Sequence, residues 1–146
     1  MLEKRNFYIN GKWVSPSKHN DFKVINPSNE EVFAIISLGS NADTNSAVEA
    51  AKKAFVKWKE TSKEERINLL EKLLKVYKKR SDEMAKAISM EMGAPIDYAI
   101  SAQTASGQSH LEDFILRLKD FKFEEHFESK SNNRISYEPI GVCGLI

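Results

Sequence analysis

Cys143 carries the one thiol of the chain, but a thiol becomes a nucleophile only beside a base or a helix N-terminus that lowers its pKa. It lies instead in Gly141-Val142-Cys143-Gly144-Leu145-Ile146, an apolar run in which a free cysteine behaves as a small buried hydrophobe. His19, His110 and His126 are scattered, no pair stands at i, i+4, and no HExxH occurs, so a metal hydrolase finds no support. His110 reads as a packed or solvated side chain on a helix. GxGxxG and GxxxxGK[ST] are absent, and the GxxG of Gly141 to Gly144 is too short to cradle a phosphate. Glu91, beside Met92-Gly93, reads as a helix-end carboxylate. Lys52-Lys53 and Lys78-Lys79-Arg80 read as solvated faces. From residue chemistry alone the chain offers a scaffold and no complete active site.

The elements that position these residues are legible. In Phe7-Tyr8-Ile9-Asn10-Gly11-Lys12-Trp13-Val14 an Asn-Gly pair separates two aromatic and β-branched runs, the strongest short-range signal for a hairpin. A second strand pair is expected from Asp21 to Ile25 and from Glu31 to Ser37, around the turn Asn26-Pro27-Ser28-Asn29. Val32, Phe33, Ile35 and Ile36 make the return strand too apolar for a free surface. From Asn41 the period changes: Val48, Ala51, Phe55 and Trp58 form a helical stripe, with Ser40 or Asn41 as cap and Asp43 in the first turn. Ser62-Lys63-Glu64-Glu65 reads as a capping box. A single long helix should follow it, with the stripe Ile67, Leu70, Leu74, Tyr77, Met84 and Ile88, stopped by Gly93 and Pro95. A third helix is expected from Pro95 towards Phe121, with Ile96, Ile100, Leu111, Phe114, Leu118 and Phe121 as its apolar positions. Its middle, Ser101 to Ser109, is built of small residues that permit close approach, and Gly107 weakens its continuity. Lys122 to Asn133 reads as a linker or exposed loop, Arg134 to Glu138 as an exposed strand, and Gly141 to Ile146 as a buried one.

Composition narrows the function classes. The 146 residues carry 22 Lys+Arg against 21 Asp+Glu, so there is no basic excess to neutralise phosphates and no nucleic-acid partner is expected. No apolar stretch is long enough to span a membrane, and Met1 to Phe7 is not followed by a secretory h-region, so the cytoplasm is the expected compartment. A single cysteine excludes an intramolecular disulfide and a CxxC zinc site.

The order of the segments resembles the amino-terminal region of the aldehyde dehydrogenase superfamily. The resemblance rests on Phe7 to Val14, Val24-Ile25-Asn26-Pro27, Ala47 to Trp58, Glu65-Arg66 with the leucines after it, and Glu91-Met92-Gly93-Ala94-Pro95. Above all it rests on Tyr137-Glu138-Pro139-Ile140-Gly141-Val142-Cys143-Gly144-Leu145-Ile146. The Met-Gly-Ala-Pro version is similar to the bacterial branch that includes the 6-oxolauric acid dehydrogenases.

The resemblance implies NAD- or NADP-dependent oxidation of an aldehyde to a carboxylic acid. A cysteine thiolate attacks, an asparagine and a backbone N–H hold the oxyanion, hydride passes to nicotinamide, and a glutamate activates water. None of these catalytic residues is expected in this chain, because the matching segments would lie beyond Ile146. Cys143 matches a structural position, not the nucleophile. Ile146 matches a position beside the adenosine side of the cofactor. Val24, Ile25 and Glu91 match a monovalent-cation site of some members, where main-chain carbonyls and one carboxylate supply oxygen ligands.

The fold class this implies is an α+β fragment, with three helices, amino-terminal β-hairpins and late strands, of an α/β Rossmann-like fold. Residues 1–146 would be the amino-terminal part of the cofactor-binding domain. A strand at 133–139 would join an oligomerisation sheet, and the catalytic domain would be absent. The chain by itself would be inactive, and the intact enzyme would be a homo-oligomer. The alternative reading is a non-catalytic interaction or assembly module derived from such an enzyme.

Overall fold

The computed structural model describes residues 1–127 and 132–145. Its first turn follows from the Asn-Gly pair. β2 (Phe7–Ile9) and β3 (Lys12–Val14) run antiparallel around Asn10 and Gly11, whose φ angles are 52° and 76°. Two positive values in succession are what a type I′ turn requires. Tyr8 and Trp13 face each other across this hairpin, ring centres 5.2 Å apart.

The second strand pair also forms. β4 (Asp21–Asn26) pairs antiparallel with β5 (Glu31–Ser37), with a register shift between Val24 and Ile25. Unanticipated from the sequence is β1 (Leu2–Lys4), which pairs parallel with the other edge of β5, giving the sheet order β1-β5-β4. Three residues are too few for a period to be read, and β5 supplies the missing instruction. Its apolar return run is covered only in part: Ala34 and Ser37 are buried, Phe33, Ile35 and Ile36 are half-buried, Val32 is exposed, and it is β4 that lies against a helix.

Both expected caps are made. Ser40 caps α1 (Asn41–Trp58), its hydroxyl accepting from the Asp43 N–H while Asp43 accepts from the Ser40 N–H. Ser62 and Glu65 do the same for α2 (Lys63–Lys79). The single long helix expected after Ser62 is instead two. Arg80, at φ −109° and ψ 13°, breaks the run, and α3 (Ser81–Met92) starts beyond it and ends on Gly93 at φ 73°. A hydrophobic stripe cannot reveal this joint, because the period continues across it.

The third helical stretch begins after Pro95 with one turn, α4 (Ile96–Tyr98). It passes through a π-helical segment (Ala99–Thr104) and continues as α5 (Ala105–Asp120). The wide π turn rotates the faces, so Ile115 is buried and Phe114, read as part of the stripe, is 58% exposed. Gly107 has a specific reason to be there. A side chain on it would collide with the Tyr77 hydroxyl of α2, which donates to the Thr104 carbonyl at 2.9 Å.

Two late expectations change. Part of the presumed linker is β6 (Glu124–His126), which pairs antiparallel with β7 (Arg134–Ser136), the anticipated exposed strand. The expected buried strand from Gly141 to Ile146 is not formed over its described residues. Leu145 and Ile140 are each 96% exposed, and Cys143 is exposed rather than buried. A buried strand needs neighbours on both edges and both faces, and no described strand runs beside this one.

The total accessible surface is 11786 Å². A folded monomer of 16.6 kDa exposes about 7,600 Å². Among the described residues the buried hydrophobic ones are Ala34, Ala85, Ala99 and Ile115, and no large side chain is fully covered. The helices and strands are therefore formed while much of their apolar surface is unburied.

Candidate functional site

The end of α3, which carries Glu91, approaches the β4–β5 turn that follows Val24 and Ile25. Asn26 builds that turn, its side-chain oxygen accepting from the N–H and the hydroxyl of Ser28 at 3.0 and 2.7 Å. The Asn26 carbonyl accepts from the Glu30 N–H at 2.8 Å. Gly93 closes α3 directly against this turn, and a Cβ on Gly93 would stand 3.2 Å from the Pro27 Cβ. The Ser89 hydroxyl fixes the same helix end by donating to the Ala94 carbonyl at 2.7 Å. Glu91 is thus held two residues from the contact with Pro27, and Val24 and Ile25 lie just before it on β4. Val24 is half-buried, Ile25 is exposed, and Glu91 is exposed on the last turn of α3. The strand irregularity falls between Val24 and Ile25, where the ladder loses its regular pairing. Among the described residues no three His, Cys, Asp or Glu side chains gather. A cation here would rest on main-chain oxygens with one carboxylate, a donor set that suits a hard, weakly charged ion.

The fourth site residue, Ile146, lies outside the described residues. The described residues before it, Gly141 to Leu145, form no strand-to-helix turn and no glycine-rich cradle, so they do not by themselves fit a dinucleotide. Cys143 has no hydrogen-bond partner among the described residues, which leaves its thiol without the base that nucleophilic attack needs.

Sequence reasoning missed a second region. Trp58, Leu69, Leu70, Phe114, Leu118 and Phe121 line an apolar groove of about 530 Å³ between α1, α2 and α5, edged by Arg66 and Arg117. Its signal in the sequence was the stripe itself: the helices carry more apolar positions than they can cover against one another. Between α2 and α5, Lys63 donates to the Lys119 carbonyl at 2.8 Å, and Lys78–Glu112 and Lys119–Glu71 pair at 2.6 and 2.9 Å. The Lys78 ammonium, donating to Glu112, holds that carboxyl below its ordinary range. A third cluster sits at the start of α1. Asp43 accepts from the backbone and hydroxyl of both Ser40 and Ser17, and these donors, the Ser40 N–H first, hold its pKa down from 3.8 to about 2.

This order of elements, hairpin, antiparallel pair, capped helices and late strands, is found in known proteins. The sequence pattern of the aldehyde dehydrogenase family matches residues 13–146. The chain belongs to the aldehyde dehydrogenase family. The solved aldehyde dehydrogenase of Bartonella henselae is similar over 90% of the chain, at 55% identity and a TM-score of 0.89, which is 28% of that structure. A second family structure, aldehyde dehydrogenase C of Pseudomonas syringae with NAD+ and octanal, is 36% identical. It covers 83% of the chain and 25% of its own length, with a TM-score of 0.81. A Pseudomonas 3-succinoylsemialdehyde-pyridine dehydrogenase is 42% identical over the whole chain, which is 30% of that relative. The chain thus corresponds to the amino-terminal part of aldehyde dehydrogenase structures and spans about 30% of the length of the curated relatives it matches.

Proposed function

We propose that this chain is the amino-terminal portion of an enzyme that oxidises an aldehyde to a carboxylic acid with NAD or NADP, and that these residues alone do not turn over. The observation that carries the reading is the family match across residues 13–146 in a chain that spans about 30% of its relatives. An aldehyde and NAD+ are both bound by the similar Pseudomonas syringae protein. Cys143, exposed and without a hydrogen-bonding base among the described residues, supports the inactivity of the chain. The test is to incubate the purified chain with octanal and NAD+ or NADP+ and follow reduced nicotinamide by absorbance. No rate above the blank is expected, and Cys143→Ala changes nothing. Aldehyde-dependent reduction that disappears in Cys143→Ala overturns the proposal.

In that enzyme Ile146 would contact the adenosine side of the cofactor. The carbonyls of Val24 and Ile25 with the Glu91 carboxylate would hold a monovalent cation. The packing of Gly93 on Pro27 supports the second assignment, since it brings the end of α3 to the turn after Ile25. The strand at 133–139 would enter an oligomerisation sheet, and the formed β7, with both edges of its two-stranded hairpin unpaired by other described strands, supports a homo-oligomer. The cytoplasm is the compartment expected of such an enzyme. No described helix is long and apolar enough to cross a membrane. The alternative, an assembly module without catalysis, is favoured by one observation, the surface in excess of a folded monomer's. Sedimentation of the pure chain tests its self-association, and a monomer at high concentration counts against the module.

A further inference from the structure

Arg66 stands where the helical layer meets the late hairpin. Its Nε donates to the Thr61 hydroxyl at 2.9 Å and its Nη2 to the Lys59 carbonyl at 3.1 Å, so it closes the end of α1 against the start of α2. The guanidinium carbon also lies 6.0 Å from the centre of the Trp58 ring and 5.6 Å from that of Phe123. Both distances are within reach of cation–π attraction.

Phe123 immediately precedes β6. It stands edge-on to Phe121 at 5.0 Å, and Phe121 lies against Tyr137 at 5.3 Å, the residue that immediately follows β7. The Tyr137 N–H donates to the Phe123 carbonyl at 2.8 Å, and the Tyr137 hydroxyl to Glu125 at 2.9 Å. The two ends of the hairpin are therefore gathered into one aromatic cluster. Neither of its strands packs broadly on a helix. Phe121 follows α5 directly and lines the groove between the helices, and the contact between Arg66 and Phe123 adds a second tie between the two parts.

We propose that Arg66 is a positioning residue. Seated between Trp58 and Phe123, it ties the β6–β7 hairpin to the helical layer and so sets how the free edges of the hairpin meet a second copy of the chain. The part concerning a second copy rests on the oligomer reading above. The site calls for arginine rather than lysine, because a planar fork donates in two directions while its flat face lies on a ring.

The test is limited trypsin digestion of the folded chain, with cleavage sites read by mass. Arg134 lies in β7, and Lys72 and Lys75 lie in α2. In Arg66→Met, cleavage after Arg134 is expected to rise about tenfold, the effect of losing the ring contact to Phe123, while cleavage at Lys72 and Lys75 keeps its wild-type rate. Arg66→Lys restores only part of the protection. Phe123→Leu leaves the hydrogen bonds of Arg66 in place and is expected to expose Arg134 as Arg66→Met does. An unchanged rate at Arg134 in either Arg66→Met or Phe123→Leu overturns the tie, as does a rise at Lys72 and Lys75 in step with it. Sedimentation of the wild-type chain is read separately. A monomer overturns the second-copy clause for this chain, whereas the tie itself stands or falls on the cleavage pattern.

Discussion

The helices between Lys63 and Asp120 and the segment after Asp120 differ in where their interactions go. In the first region the ties between helices are made by side chains of the helices themselves. Ser62 and Glu65 cap α2, the Tyr77 hydroxyl reaches the Thr104 carbonyl across the space left by Gly107, and Lys63 closes the end of α5. In the second, a short hairpin hangs on an aromatic cluster, and Ile140 and Leu145 stand in solvent. A helix satisfies its own backbone, so local signals suffice to form it. A buried strand satisfies nothing without its neighbours. Strong apolar sequence after Pro139 is thus an instruction addressed to strands that the described residues do not supply.

The largest effect should come from filling the space that couples α2 to α5. Gly107→Val should destabilise the chain by about 2–3 kcal/mol, because the new side chain displaces the Tyr77 hydroxyl from Thr104 and crowds the helix interface. Chemical denaturation measures this. In a Tyr77→Phe background the cost should shrink, since the atom in the way is gone, and an undiminished cost would break the assigned coupling. Next comes the cap: Ser62→Ala should lose about 1 kcal/mol in the same assay, and a neutral result would mean that α2 is held by packing alone.

A smaller effect, visible only in acid, concerns Asp43. Its folded pKa, about 2, lies below its ordinary 3.8, so its contribution is present above the ordinary value and is lost as the pH falls through about 2. Wild type should therefore lose stability relative to Asp43→Asn as the pH is lowered across that window. Parallel curves for the two proteins would remove Asp43 from the account. At the far end of the scale, Leu145→Ser should change stability by less than about 0.5 kcal/mol, because its side chain covers nothing. A large loss there would mean that the tail is packed after all and would dissolve the contrast between the two regions.

The same contrast explains what could be read from the sequence. Asn10-Gly11, Ser40 with Asp43, Ser62 with Glu65 and Gly93 each act within a few residues, and each does in the structure what its type and spacing imply. The joint at Arg80 and the π turn at Ala99–Thr104 escaped, because neither interrupts the apolar period that reveals a helix. β1 and β6 escaped because three-residue strands are selected by their partners. Gly107 was visible as a weak point, but the tyrosine that requires it stands thirty positions earlier. The approach of Gly93 to Pro27, which brings the end of α3 to the β4–β5 turn, has no local signal, because the two residues stand far apart in the chain. The Arg66 cluster was hidden because its rings come from both sides of α5.

The central claim is that these residues are the amino-terminal portion of a dehydrogenase whose remaining parts cover the exposed surface. The most direct measurement is the intact mass of the native polypeptide, captured from its own cells with an antibody to residues 62–93. The account expects a species much heavier than 16.6 kDa. A sole species at 16.6 kDa would contradict it and would turn attention from catalysis to what the exposed face binds.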